Sequence, residues 1–103
     1  WAFAETIREI KARLPEASVE VLVPDFQGNV DSIRAVLEAG PDIYNHNTET
    51  VPRLYKKCRP GGKYHRVMEI FRTAKRLAPH IPTKTGIILG MGETNEEVVQ
   101  VMK

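Results

Sequence analysis

Asn47 and Glu49 stand two residues apart in the run Asn45-His46-Asn47-Thr48-Glu49, directly after the apolar pair Ile43-Tyr44. On extended backbone that spacing points both side chains the same way. An amide beside a carboxylate suits a vicinal diol such as a ribose. The carboxylate accepts from the hydroxyls, and the amide both donates and accepts. The same residue types also build Asx turns and cap a following helix, so spacing alone leaves both readings open.

A second chemical segment is Gly86-Ile87-Ile88-Leu89-Gly90-Met91-Gly92-Glu93. Gly86 inside a strand permits close approach of another group. Gly90 and Gly92 let the backbone turn against a planar ligand or a phosphate, although such a segment can also be only a turn. Lys84 either points into the interior of a barrel or snorkels to solvent. His46 has no second ligand at metal spacing nearby, and a hydrogen-bonded structural role is expected for it. Cys58 lies among Lys56, Lys57 and Arg59, which lower a thiol pKa if it is exposed; it reads as an incidental helix residue. It is the single cysteine, which excludes an intrachain disulfide, a Cys-rich zinc site and a complete iron–sulfur site within these residues. Six basic residues, Arg53, Lys56, Lys57, Arg59, Lys63 and Arg66, follow one another with no acidic residue between them. They form either a solvated face or a docking patch for an acidic partner.

Alternating elements must hold these groups. Phe3, Ile7, Ile10 and Leu14 recur at helical spacing and predict an amphipathic helix ending near Pro15. Val19 to Val23 reads as a strand stopped by Pro24. Gly28-Asn29 turns the chain into a helix carrying Val30, Ile33, Val36 and Leu37, which Gly40-Pro41 ends. Ile43 to His46 is a second strand, and Thr50 is expected to cap a short helix through Val51, Leu54 and Tyr55. After the loop Arg59-Pro60-Gly61-Gly62, a helix presents Val67, Ile70, Phe71, Ala74 and Leu77. Pro79 and Pro82 isolate a third strand, Thr83 to Leu89. Thr94 and Glu97 make a capping box for a last helix.

Such alternation implies parallel strands joined by right-handed crossovers, the α/β class. Functional side chains then gather at the carboxyl ends of the strands. That rule selects Pro24-Asp25-Phe26-Gln27, the segment 45–49 and the segment 90–93, all on one side of the sheet. The 103 residues can bury roughly 65% of their unfolded surface, enough for one modest core. Charged residues are 27% and hydrophobic ones 42%, an ordinary globular balance. The net charge of +2 does not suggest nucleic-acid binding, and no apolar run reaches the roughly 18 residues of a membrane span. A parallel sheet needs cover on both faces, and three strands with these helices cover themselves poorly. The chain is therefore expected to be an internal slice of a larger α/β barrel or sheet.

The segments Val19 to Gly28, Gly40 to Tyr55, Arg59-Pro60-Gly61 with Tyr64, and Pro82 to Gly86 through Gly90 to Thr94 together resemble the lipoyl synthase family. The Asn-His-Asn-x-Glu-Thr-Val-Pro segment carries most of this likeness. Gly86, Ile88, Gly90 and Glu93 also fit the Gly-x-Ile-x-Gly-x-x-Glu pattern of radical S-adenosylmethionine enzymes. The resemblance implies part of a radical S-adenosylmethionine (SAM) partial (β/α) barrel, about three parallel strands with flanking helices, residues 1–103 being one piece of that core domain. In the family a 4Fe–4S cluster cleaves S-adenosylmethionine to a 5′-deoxyadenosyl radical. The radical abstracts hydrogens from C6 and C8 of an octanoyl chain on a lipoyl-carrier protein, and a second 4Fe–4S cluster supplies both sulfur atoms.

By the same resemblance, Asn47 and Glu49 are ribose-binding residues, Gly86, Ile88 and Gly90 lie along the adenosyl group, and Glu93 stabilises the turn. Arg59 and Lys84 are further candidate site residues. The implied partner is an octanoylated lipoyl domain or glycine-cleavage H protein, received by the basic stretch Arg53, Lys56, Lys57, Arg59, Lys63 and Arg66. Neither nucleic acid nor membrane is expected as a partner. The implied compartment is the cytoplasm in a bacterium, and a mitochondrion or plastid in a eukaryote. The family's Cys-x3-Cys-x2-Cys motif, its auxiliary-cluster cysteines and its C-terminal serine ligand do not occur in this sequence, and Thr85 stands where serine is commoner. These residues alone are therefore expected to bind no metal, to contain no catalytic residue and to be inactive. Biotin synthase, which shares an Asn-His-Asn-x-acid segment, and a non-catalytic α/β binding module are the competing readings.

Overall fold

The computed structural model describes residues 2–103. The chain runs α1 (Ala2–Arg13), β1 (Glu20–Leu22), a 3-10 turn (Phe26–Gly28), α2 (Val30–Glu38), β2 (Ile43–Asn45), a second 3-10 turn (Pro52–Leu54), α3 (Tyr55–Cys58), α4 (Tyr64–Leu77), β3 (Thr83–Lys84) and α5 (Asn95–Met102). The strands form one parallel sheet in the order β1-β2-β3, as the alternation predicts. Glu20, Val21 and Leu22 pair with Ile43, Tyr44 and Asn45, and Tyr44 and Asn45 pair with Thr83 and Lys84. Among the described residues no helix is long and apolar enough to cross a membrane.

Period-2 alternation divides the sheet into two unlike faces. Val19, Val21, Val23 and Tyr44 are buried in one cluster with Ile7, Ile33, Val36, Leu37, Ile70 and Ala74, so α1, α2 and α4 cover the same face. Burying each large aliphatic side chain of this cluster contributes roughly 1.5–3 kcal/mol. The other face carries Glu20, Leu22, Asn45 and Lys84. Leu22 is 55% exposed there, whereas the neighbouring Val21 is 8% exposed. The sheet is thus covered on one side and open on the other.

Local signals place the element ends. Asn29 accepts from the Ser32 N–H and caps α2. Gly40, at φ +78°, ends that helix in the left-handed conformation that glycine adopts without steric cost. Thr94 and Glu97 form the expected capping box on α5.

Three expectations need correction. Strand pairing at β1 and β2 is shorter than the apolar runs, although backbone bonds from Asp42 N–H to Val19 O and from Val23 N–H to Asn45 O prolong it at both ends. The third strand stops at Lys84 rather than Leu89, because the segment after it pairs with a turn and leaves only a bridge between Glu49 and Ile87. Thr50 caps nothing. Pro52 takes the first helical position, where its missing N–H costs nothing, so Val51 becomes the cap and the Thr50 hydroxyl is buried without a partner among the described residues.

Candidate functional site

The carboxyl end of β2 leads into a loop that is anchored at nearly every residue. His46 lies buried, its Nδ1 2.8 Å from the Val23 carbonyl, and its N–H donates to the Lys84 carbonyl at 3.1 Å. That is the structural role expected of it. Thr48 is fully buried; its N–H donates to Thr85 Oγ1 at 3.0 Å, and the two hydroxyl oxygens are 2.7 Å apart. The Tyr55 hydroxyl, raised in pKa chiefly by burial, donates to the Thr48 carbonyl. Glu49 donates its N–H to the Gly86 carbonyl at 3.0 Å and accepts from the Ile88 N–H at 2.7 Å.

Glu49 sits at φ +72°, a left-handed conformation uncommon outside glycine and one that costs of order 1–2 kcal/mol. The flanking bonds to Gly86 and Ile88 hold it there. Asn47 and Glu49 nevertheless line one cleft of about 260 Å³, together with Leu22, Val23, Pro24, His46 and Arg59. A pinned turn, not a plain extended strand, therefore brings the amide and the carboxylate together. Neither side chain has a hydrogen-bond partner among the described residues. A carboxylate and an amide left unpaired in one cleft can together accept from and donate to the hydroxyls of a vicinal diol.

Other sequence-selected residues fall around this cleft or away from it. Gly86 lies against Asn47: a Cβ at residue 86 would be 3.0 Å from Asn47 Oδ1. Ile88 is 52% exposed and meets Glu49 through its backbone. Gly90, at φ +92°, gives its N–H to the Glu93 carboxylate at 2.6 Å, and Met91 gives its own at 2.9 Å. Those backbone donors hold the Glu93 carboxyl below its ordinary pKa, the Gly90 N–H foremost. Glu93 therefore closes the glycine turn. Lys84 stands outside the cleft, 3.1 Å from Glu20 Oε1 on the open face of the sheet, where Glu20 also accepts from Asn45 Nδ2 at 2.8 Å. Sequence reasoning missed Glu20; the signal was a carboxylate in an apolar strand that also offered a lysine two strands away.

The basic stretch divides in two. Arg53 is exposed but already paired: it lies 2.6 Å from Glu97 Oε1 and also donates to the Gly92 carbonyl at 2.9 Å. Arg66 lies 3.5 Å from Asp25, whose carboxyl is held below its usual pKa first by the Gln27 N–H and then by Arg66. Lys56, Lys57 and Lys63 are exposed and have no ion-pair partner among the described residues. Among those residues there is also no group of three His, Cys, Asp or Glu side chains that could hold a metal. One cysteine cannot provide the three thiolates of a radical-SAM cluster motif, so the residues present do not fit a cluster.

A family model described as "Radical SAM superfamily" matches residues 1–103. The chain is similar to curated proteins named "Lipoyl synthase". It is 56% identical over 101 residues to the one from Caldanaerobacter subterraneus subsp. tengcongensis, covering 98% of this chain and 35% of that protein. To those from Koribacter versatilis and Haemophilus ducreyi it is 52% identical, again over 98% of this chain and over 33% and 31% of theirs. The chain thus spans about a third of the length of these relatives.

Proposed function

The chain belongs to the radical SAM superfamily, and from that premise we propose that it is part of a lipoyl synthase, in which it binds the ribose and adenine of S-adenosylmethionine. The observation that carries this reading is the convergence of Asn47 and Glu49 in one cleft, with Gly86 packed against Asn47. When bound, S-adenosylmethionine supplies the one-electron chemistry that opens C–H bonds at C6 and C8 of a protein-bound octanoyl group to sulfur insertion. The two 4Fe–4S clusters of that reaction need ligands these 103 residues do not contain. The Glu49 carboxylate accepts from the ribose hydroxyls, the Asn47 amide donates to and accepts from them, and Gly86, Ile88 and Gly90 border the base. Arg59, on the rim of the cleft, is a cation for the charged end of the cofactor. Lys84, paired with Glu20 outside the cleft, has no contact with the nucleoside in this reading.

The protein partner in this reading is an octanoylated lipoyl-carrier protein, a lipoyl domain or a glycine-cleavage H protein. Its acidic surface meets the exposed Lys56, Lys57 and Lys63, and complementary charge of this kind mainly speeds encounter. The compartment that goes with it is the cytoplasm of a bacterium, or the mitochondrion or plastid of a eukaryote.

The test uses the parent enzyme. Asn47→Ala and Glu49→Gln are each expected to weaken S-adenosylhomocysteine binding about tenfold, or ~1.4 kcal/mol, in titration calorimetry. They are also expected to lower 5′-deoxyadenosine formation from S-adenosylmethionine. Unchanged affinity in both variants would overturn the assignment of this cleft.

A further inference from the structure

The loop that carries Asn47 and Glu49 is one residue out of step with the strand beside it. The His46 N–H bonds the Lys84 carbonyl. In an unbroken parallel ladder the next donor, the Thr48 N–H, would bond the Gly86 carbonyl. That carbonyl instead accepts from Glu49. The loop therefore holds one extra residue, as in a β-bulge, a device that re-aims side chains beside sites. The bulge leaves the N–H of fully buried Thr48 without its ladder acceptor, and a buried unpaired N–H is costly. The Thr85 hydroxyl fills the gap, taking the Thr48 N–H at 3.0 Å and meeting the Thr48 hydroxyl at 2.7 Å.

We infer that Thr85 is a positioning residue for the nucleoside cleft: its hydroxyl closes the bulge between Asn47 and Glu49 and so sets the spacing at which the two side chains meet the 2′- and 3′-hydroxyls of a ribose. Thr85 does not line the cleft; it acts through Thr48, the residue between the two binding groups. The inference rests on the reading of the cleft as a ribose site. It adds that discrimination between a ribose and a deoxyribose depends on a hydroxyl supplied from the segment just after β3.

The experiment measures binding of S-adenosylhomocysteine and its 2′-deoxy analogue to the parent enzyme by titration calorimetry, with thermal unfolding recorded alongside. The unaltered enzyme is expected to prefer the ribonucleoside. Thr85→Val keeps the shape and loses the hydroxyl. It is expected to weaken the ribonucleoside about tenfold and the 2′-deoxy analogue less, narrowing the preference. Thr85→Ser restores both affinity and preference, and Thr85→Ala repeats the valine result should the valine variant fold poorly. Equal loss for both nucleosides, or no loss, would leave Thr85 a purely structural residue and overturn the inference. An unaltered enzyme without preference would instead overturn the ribose reading of the cleft itself, and the role of Thr85 with it.

Discussion

Gly86 and Asn47 meet so closely that a methyl group added at residue 86 would lie 3.0 Å from Asn47 Oδ1. The atom it would meet is the far end of a side chain, which can swing aside. Gly86→Ala is therefore expected to cost the fold less than about 1 kcal/mol, within the range of tolerated substitutions. The same swing moves the Asn47 amide out of register with Glu49, and S-adenosylhomocysteine binding is expected to weaken about tenfold. Calorimetric titration beside thermal unfolding separates the two effects. Equal binding by the alanine variant would show that this contact does not position Asn47.

The architecture around that contact was readable because its signals are local. Alternation of Val19, Val21 and Val23, the helical spacing of Ile33, Val36 and Leu37, and the Thr94–Glu97 box each depend on residues only a few positions apart. What escaped the sequence depends on pairing between distant segments. The third strand stops early because the Gly86 carbonyl serves Glu49, 37 residues before it. Arg53 and Arg66 left the basic patch because Glu97 and Asp25 claim them from other elements. Types and spacing only singled out Asn47 and Glu49, and their role came from the family resemblance; the left-handed backbone that turns Glu49 toward the cleft had no local mark, since glutamate does not favour it.

Arg53 also makes the attachment of α5 sensitive to acid. The Glu97 carboxyl is pulled from its ordinary value of 4.5 to about 2, first by the Arg53 guanidinium and then by the Thr94 N–H. A carboxyl whose pKa is lower in the folded state stabilises that state fully above its unfolded pKa. The contribution declines as pH falls below 4.5 and is gone below about 2. Amide hydrogen exchange in α5 is expected to accelerate relative to α4 over that window. Glu97→Gln is expected to flatten the dependence; an unaltered pH profile in that variant would remove Glu97 as its source.

Tyr44 is fully buried, and its hydroxyl has no hydrogen-bond partner among the described residues. Burial alone raises its pKa, so the phenol stays neutral at any ordinary pH. Removing an unpaired buried polar atom relieves its desolvation penalty. Tyr44→Phe is accordingly expected to be neutral to ~1 kcal/mol more stable in denaturant unfolding. Tyr44→Ala, which empties the centre of the core, is expected to lose about 3–5 kcal/mol. A phenylalanine variant destabilised by more than ~1 kcal/mol would mean that the hydroxyl makes a bond of its own.

Lys56 and Lys57 allow the carrier-docking reading to be tested without disturbing the fold. Both are exposed and neither joins an ion pair among the described residues, unlike Arg53 and Arg66, whose reversal would break internal pairs. Replacing both lysines with glutamate changes the local charge by four units and leaves Asn47, Glu49 and Thr85 untouched. Attraction between exposed charges is screened beyond about 10 Å at 0.1 M salt, so the effect belongs to low ionic strength. The doubly reversed parent enzyme is expected to associate with an octanoylated carrier about tenfold more slowly at low salt, with the difference vanishing as salt rises. Its S-adenosylhomocysteine affinity and melting temperature should stay as they were. Stopped-flow association across a salt series distinguishes the outcomes: equal rates at low salt would assign these lysines to a solvated face and move the carrier's docking surface elsewhere.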